Sequence, residues 1–207
     1  LRVAPDEAEA MGWLRLAAEQ GGAGTWMNLG VMYTDAGLTH EAIACFDRAL
    51  AIEPDSSQAK FNRGLSLLAL GDYARGWVGY EARWETKDSK LKRPGRRWLG
   101  EDVRGKTVLV TIDQGFGDSL QFVRVLPRRK QRGARVVMET YPKLYRLMKS
   151  AAGVDELIKV GDPSPAYDFY CPLVSVAAVL QMNVQSDFDV AVPYLRAPEG
   201  AGAKLAP

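Results

Sequence analysis

Histidine occurs once in this chain of 207 residues, at position 40, and cysteine twice, at 45 and 171. A closed zinc site takes four Cys or His ligands, and there is no C-x-x-C, so structural zinc is excluded. The same scarcity removes Ser-His-Asp and Cys-His catalytic groupings unless His40 serves, and His40 falls in a turn between two helix-like stretches. Long apolar runs are missing too. Val174 to Met182 is far shorter than the ~18 residues a membrane helix needs, and it contains Ser175 and Gln181. The opening LRVAPDEAEA has acids where a signal peptide has its apolar stretch and lacks an initiator Met, which reads as a trimmed piece of a protein from a reducing cytoplasm. What remains is 47% apolar and 25% charged, the proportions of a folded globular chain of one large module or two small ones.

The formal charge of +2 hides an asymmetry. Residues 1–60 hold four Lys/Arg against nine Asp/Glu, whereas 124–149 hold nine Lys/Arg against Glu139 alone. Such a shift implies two modules, and the basic, Pro- and Gly-containing run KDSKLKRPGRRWLGED over 87–102 is where their boundary is expected, with a linker over 91–105.

The first module repeats. LGVMYTDAG and RGLSLLALG set Gly30 and Gly64 34 residues apart, the tetratricopeptide period. On that frame one unit, 23–56, carries Trp26, Leu29, Gly30, Tyr33, Gly37, Ala42, Phe46, Ala49 and Pro54, and so resembles the tetratricopeptide repeat (TPR) family at each signature position. Two antiparallel helices approach closely only where small residues meet, while the large ones fill the space between them. A degenerate repeat over 57–90 keeps Gly64, Gly71, Tyr73 and Tyr80 but has Gly76 and Arg83 where small residues are usual, and terminal repeats are atypical. Residues 1–22 read as the last helix of an earlier, truncated repeat. Asn28 and Asn62 occupy equivalent inward positions, and their amides donate and accept at once, which suits gripping a protein or peptide backbone on the concave face; solvated helix polarity is the competing reading.

From Lys106 the pattern changes. TVLVTI reads as a buried strand, DQGFGDS as a turn, and Asp118 to about Gln131 as an amphipathic helix. ARVVMET, DELIKV and YDFYCP follow as strands, with PKLYRLMKSA, begun by Pro142, and SVAAVLQM as helices. Alternation of this kind predicts a Rossmann-like parallel sheet over 106–198 with helices on both faces, so the fold class is α plus α/β, followed by a tail over 199–207. Parallel sheets bind ligands beyond the carboxyl ends of their strands, where DQGFGDS falls.

Two phosphate-loop matches fail on context. Gly100 to Thr107 fits G-x-x-x-x-G-K-T but precedes a strand rather than following one, so no helix N-terminus faces a phosphate. Gly115-Phe-Gly117 is well placed, but Leu120 replaces the third glycine of the dinucleotide fingerprint.

The string RRWLGEDVRGKTVLVTIDQGFGDSLQFVRVLP over 96–127 resembles bacterial proteins that join TPR arrays to a heptosyltransferase-like glycosyltransferase of family 9, with two-lobed GT-B architecture. Gly117, Asp118, Leu126 and Pro127 match the family's glycine-aspartate turn and helix into L-P, and the similarity extends over roughly 76–198. What the resemblance implies is the N-terminal, acceptor-side lobe of an inverting nucleotide-sugar transferase, with Asp118 as catalytic base. An inverting transfer needs a carboxylate that takes the acceptor hydroxyl's proton as the nucleotide departs. The competing role for Asp118 is an N-cap.

Gln114 and Gln121, which flank the turn, and Gly115 and Gly117 within it are candidate acceptor contacts. Arg124, with Arg128, Arg129, Lys130 and Arg132, is a candidate holder of an anionic acceptor; no base-reading motif accompanies these charges, so nucleic acid is not an expected partner. No metal and no cofactor are called for, because a helix N-terminus and basic side chains can stabilise a departing diphosphate. The nucleotide-sugar itself is expected to need a second lobe, so that these residues alone are inactive. The alternative from another class is a non-catalytic TPR scaffold binding a protein partner. Tyr167, Tyr170 and Cys171 are expected to pack the sheet.

Overall fold

The computed structural model describes residues 5–85, 93–130, 132–198 and 201. The chain divides into two units, Leu1–Lys90 and Leu91–Pro207.

Among its described residues the first unit holds five α-helices: α1 (Pro5–Gln20), α2 (Ala23–Asp35), α3 (Thr39–Ile52), α4 (Ser57–Ala69) and α5 (Tyr73–Glu81). The 34-residue period recurs in the backbone itself. The N–H of Leu38 donates to Tyr33 O (2.8 Å) and that of Asp72 to Leu67 O (3.0 Å). Between them Gly37 and Gly71 adopt φ of 74° and 81°, the left-handed conformation that ends a helix and that glycine adopts without steric cost. Ser56 caps α4 through Ala59 N–H (3.4 Å) and Asp72 caps α5 through Arg75 N–H (3.2 Å). Leu29, Ala42, Phe46 and Ala49 are buried within the pair α2/α3, and Met11 and Ala18 of α1 pack with Leu29 and Cys45.

Gly30 and Gly64 are required by close approach. A Cβ on Gly30 would lie 2.5 Å from the Phe46 ring; one on Gly64 would lie 2.6 Å from Gly79 C and 2.9 Å from Gly76 O. The second pair, α4/α5, therefore touches backbone to backbone through three glycines. Arg83 follows α5 in a short 3-10 turn (Ala82–Trp84). It is buried, with its guanidinium 4.0 Å from the Tyr80 ring centre, 4.4 Å from that of Trp84 and 2.6 Å from Glu81 Oε1. An arginine fits where a small residue is usual because the chain has already left the α-helical line.

The second unit holds a five-stranded, all-parallel sheet in the order β1-β5-β2-β3-β4. Its strands are β1 (Arg96–Arg97), β2 (Thr107–Thr111), β3 (Arg135–Thr140), β4 (Glu156–Lys159) and β5 (Phe169–Pro172). Leu109 registers with Val137 on one side and with Tyr170 on the other. Leu109, Val137 and Ile158 form a buried cluster against which Tyr167 and Tyr170 pack, and Cys171 is fully buried. The chain passes from β2 outward to β3 and β4, then returns to place β5 on the other side of β2.

Four expectations change. Residues 93–105 are not linker but part of the second unit: β1 pairs with β5, and Trp98 is fully buried, its N–H bonded to Tyr170 O (2.8 Å) and its Nε1–H to Glu101 O (2.9 Å). The helix expected from Asp118 to Gln131 starts earlier and is broken, into α6 (Phe116–Phe122), a 3-10 turn (Val123–Val125) and α7 (Leu126–Lys130). Pro127 has no N–H to continue the ladder. The helix expected from Pro142 is only α8 (Tyr145–Met148), because residues 142–144 form a turn, and SVAAVLQM is helical only as α9 (Ser175–Val179). Residues 86–92 and the tail over 199–207, save 201, lie outside the described residues.

Candidate functional site

β2 is flanked by β3 and β5, so the chain reverses direction across the sheet at its carboxyl end. In parallel sheets this switch point opens the crevice where ligands bind. The residues that leave β2 there are Ile112, Asp113, Gln114 and Gly115, and α6 begins at Phe116.

Several bonds hold the turn. Gly115 is the N-cap of α6 with extended backbone, and its carbonyl accepts from Ser119 N–H (3.1 Å) and Ser119 Oγ–H (3.0 Å). Tyr141, just beyond β3, donates its hydroxyl to Gln114 O (2.8 Å), and its ring meets Phe116 edge-on, with centroids 4.7 Å apart. These two aromatics were missed in the sequence; an aromatic immediately after a central strand was the available signal.

Asp118 sits in the first turn of α6 and is half-buried. It is not the N-cap, and no side-chain capping bond is present at this helix, so the capping role considered for it is overturned. Its Oδ2 would lie 3.8 Å from a Cβ placed on Gly115. The carboxylate thus overhangs the turn and, among the described residues, takes part in no hydrogen bond or ion pair. Gly115 and Gly117 are both exposed, neither has positive φ, and a Cβ on Gly117 would meet nothing within 4 Å. Neither backbone conformation nor packing demands glycine here; Gly115 serves as the N-cap, whereas Gly117 lies inside the helix, where glycine costs ~1 kcal/mol relative to alanine. What the two residues leave is open space beside Asp118.

Gln114 is half-buried and Gln121 exposed. Arg124 is displaced from this group: it lines a separate cavity with residues after α8 and from the C-terminal segment, and no residue of the glycine turn lines that cavity. Arg128 is engaged with Asp187 (3.3 Å) and Ser186 O (3.2 Å), and Arg132 is exposed. Glu139 of β3 is buried and meets Arg93 Nη2 with both oxygens (2.5 and 2.6 Å). Burial pushes its carboxyl above the ordinary value, and Arg93 opposes that rise.

In the helical unit Asn28 is exposed, while Asn62 is half-buried and its Oδ1 accepts from Gln58 Nε2 (3.0 Å) one turn earlier. The two share a position in the repeat but not an environment. Among the described residues no three His, Cys, Asp or Glu side chains gather into a metal-holding group, and no helix is long and apolar enough to cross a membrane.

These features define a helical-repeat unit joined to a parallel α/β unit. Residues 23–56 match the tetratricopeptide repeat family, so the chain contains a TPR repeat. Protein FlbA of Caulobacter vibrioides is 31% identical, over 61% of this chain and 28% of FlbA, so the chain spans little more than a quarter of that relative's length. A mutant of the O-GlcNAc transferase of Thermobaculum terrenum is similar at a TM-score of 0.31 and 13% identity, over 88% of this chain and 46% of that one, too weakly to bear on this chain.

Proposed function

We propose that the chain is the recognition and acceptor-side part of a TPR-coupled, inverting glycosyltransferase of the heptosyltransferase-like, two-lobed kind. The helical unit holds a protein or peptide partner and Asp118 is the base. The observation that carries this reading is the half-exposed Asp118 carboxylate, without a partner among the described residues, overhanging a turn at the sheet's switch point, beside two glycines that leave the approach open.

The acceptor hydroxyl gives its proton to Asp118 as its oxygen bonds to the anomeric carbon, while the bond from that carbon to the diphosphate breaks and the nucleotide leaves on the opposite side. Gln114 and Gln121 stand on either side of the turn as hydrogen-bonding contacts for the acceptor. The described residues form one parallel sheet, so the nucleotide-sugar is assigned to a second lobe. The test is nucleoside diphosphate release by the full-length protein from a panel of nucleotide-sugars. Wild type releases it with at least one donor and Asp118→Asn does not.

The second reading is a scaffold whose repeats alone matter, favoured by the match of residues 23–56 to the tetratricopeptide repeat family. It predicts no release from any donor.

A further inference from the structure

A cavity of about 640 Å³ lies in the second unit, away from the glycine turn. Three segments build it: Val123, Arg124 and Pro127 around the break between α6 and α7, the loop Ser150–Ala152 after α8, and the extended stretch that carries Val190, Tyr194 and Arg196. Its volume is that of a small-molecule site.

The walls are pinned. Ser150 Oγ accepts from Arg196 N–H (2.9 Å) and donates to Leu147 O (2.8 Å), which fixes the extended stretch to the loop. Further back, Arg128 bonds Asp187 and Ser186 O, and Asp187 in turn accepts from the N–H groups of Asn183 (2.8 Å) and Val184 (3.0 Å). The Asp187 carboxyl is held below its ordinary value, first by the Val184 backbone bond.

The charge of the lining is one-sided. Arg124 and Arg196 face the cavity, and among the described residues no Asp or Glu lines it. Arg124 Nε is buried without a hydrogen-bond partner, and among the described residues neither guanidinium has an ion pair. Guanidinium groups stay protonated, and Arg196 is exposed, so its charge is open to an incoming anion. Two cations with no anion set against them match a ligand of charge near −2, which a phosphate monoester carries at neutral pH. Apart from Ser150, the remaining lining, which includes Val123, Pro127, Val190 and the Tyr194 ring, is apolar and suits an aromatic or aliphatic body attached to that phosphate.

We propose that this cavity binds a small organic phosphate, its phosphate between Arg124 and Arg196 and its apolar body against Val123, Pro127 and Val190. The site is independent of the sugar-transfer reading, since it shares no residue with the glycine turn.

The probes are 1-naphthyl phosphate, 1-naphthol and inorganic phosphate, titrated into the chain while the Arg124 Nε–H signal is followed by nitrogen-proton NMR. The expected result is a saturable shift with 1-naphthyl phosphate, at least tenfold weaker binding for each of the other two, and at least a tenfold loss in Arg196→Gln with its backbone spectrum retained. A companion variant, Arg132→Gln, changes an exposed arginine outside the cavity and keeps wild-type affinity. No saturable shift, equal binding by inorganic phosphate, or full affinity in Arg196→Gln would overturn the proposal.

Discussion

Gly64→Ala probes the packing of the repeats most sharply, because the new methyl meets backbone rather than a side chain. It would lie 2.6 Å from Gly79 C and 2.9 Å from Gly76 O, so α4 and α5 must separate to admit it. Overpacking of a well-filled contact costs ~1–3 kcal/mol, and the upper half of that range applies where no rotamer can yield. Against it stands the ~1 kcal/mol that alanine gains over glycine inside a helix. The net loss is then ~1–2 kcal/mol, which for a unit of this size lowers the melting temperature by ~4–8 °C per kcal/mol. Gly30→Ala meets the Phe46 ring at 2.5 Å instead, and a second substitution, Phe46→Leu, should recover part of its loss. Gly12→Ala in α1 meets nothing within 4 Å and should raise stability by up to ~1 kcal/mol. Thermal unfolding followed by far-UV circular dichroism ranks the three. A Gly64→Ala chain that melts at or above wild type would refute the close-approach account.

Other consequences follow from the second unit and from the repeat face. Arg93→Met leaves the buried Glu139 carboxylate unpaired, at a cost of roughly 3 kcal/mol near neutral pH, the low end for a broken buried pair because Arg93 is about a third exposed. Burial already raises Glu139 in the folded state, and losing Arg93 raises it further, so the deficit should grow as pH rises through the folded value and vanish below the ordinary ~4.3; urea unfolding at a series of pH values reads it, and a pH-independent deficit would contradict it. Trp98→Ala should cost ~3–5 kcal/mol in the same assay, whereas a true linker residue would cost almost nothing. If the concave face binds an extended peptide, Asn28→Ala should weaken binding in isothermal titration more than Asn62→Ala, because Gln58 already occupies the Asn62 amide oxygen; equal losses would argue against it.

Elements with a strong local period could be read directly. The glycine spacing led to α2–α5, and the β-branched runs led to β2 and β3, since their burial pattern is written in consecutive residues. β1 was hidden because it is two arginines long and becomes a strand only by pairing with Phe169 and Tyr170, some 70 residues away. Pro127 marks a helix break, but an amphipathic pattern running on both sides of it masked the interruption. Asp118 and its glycines were visible from their place after a strand. Arg124 was grouped with them on charge alone, and only the helix geometry turns it toward another cavity.

The central claim rests on one carboxylate, and single-turnover kinetics of the full-length protein with Asp118→Asn, alongside its donor affinity, test it most directly. The account predicts a rate lower by ~10²–10⁴, the usual contribution of a positioned base, with donor affinity within twofold of wild type. Transfer at more than a third of the wild-type rate would show that the proton goes elsewhere.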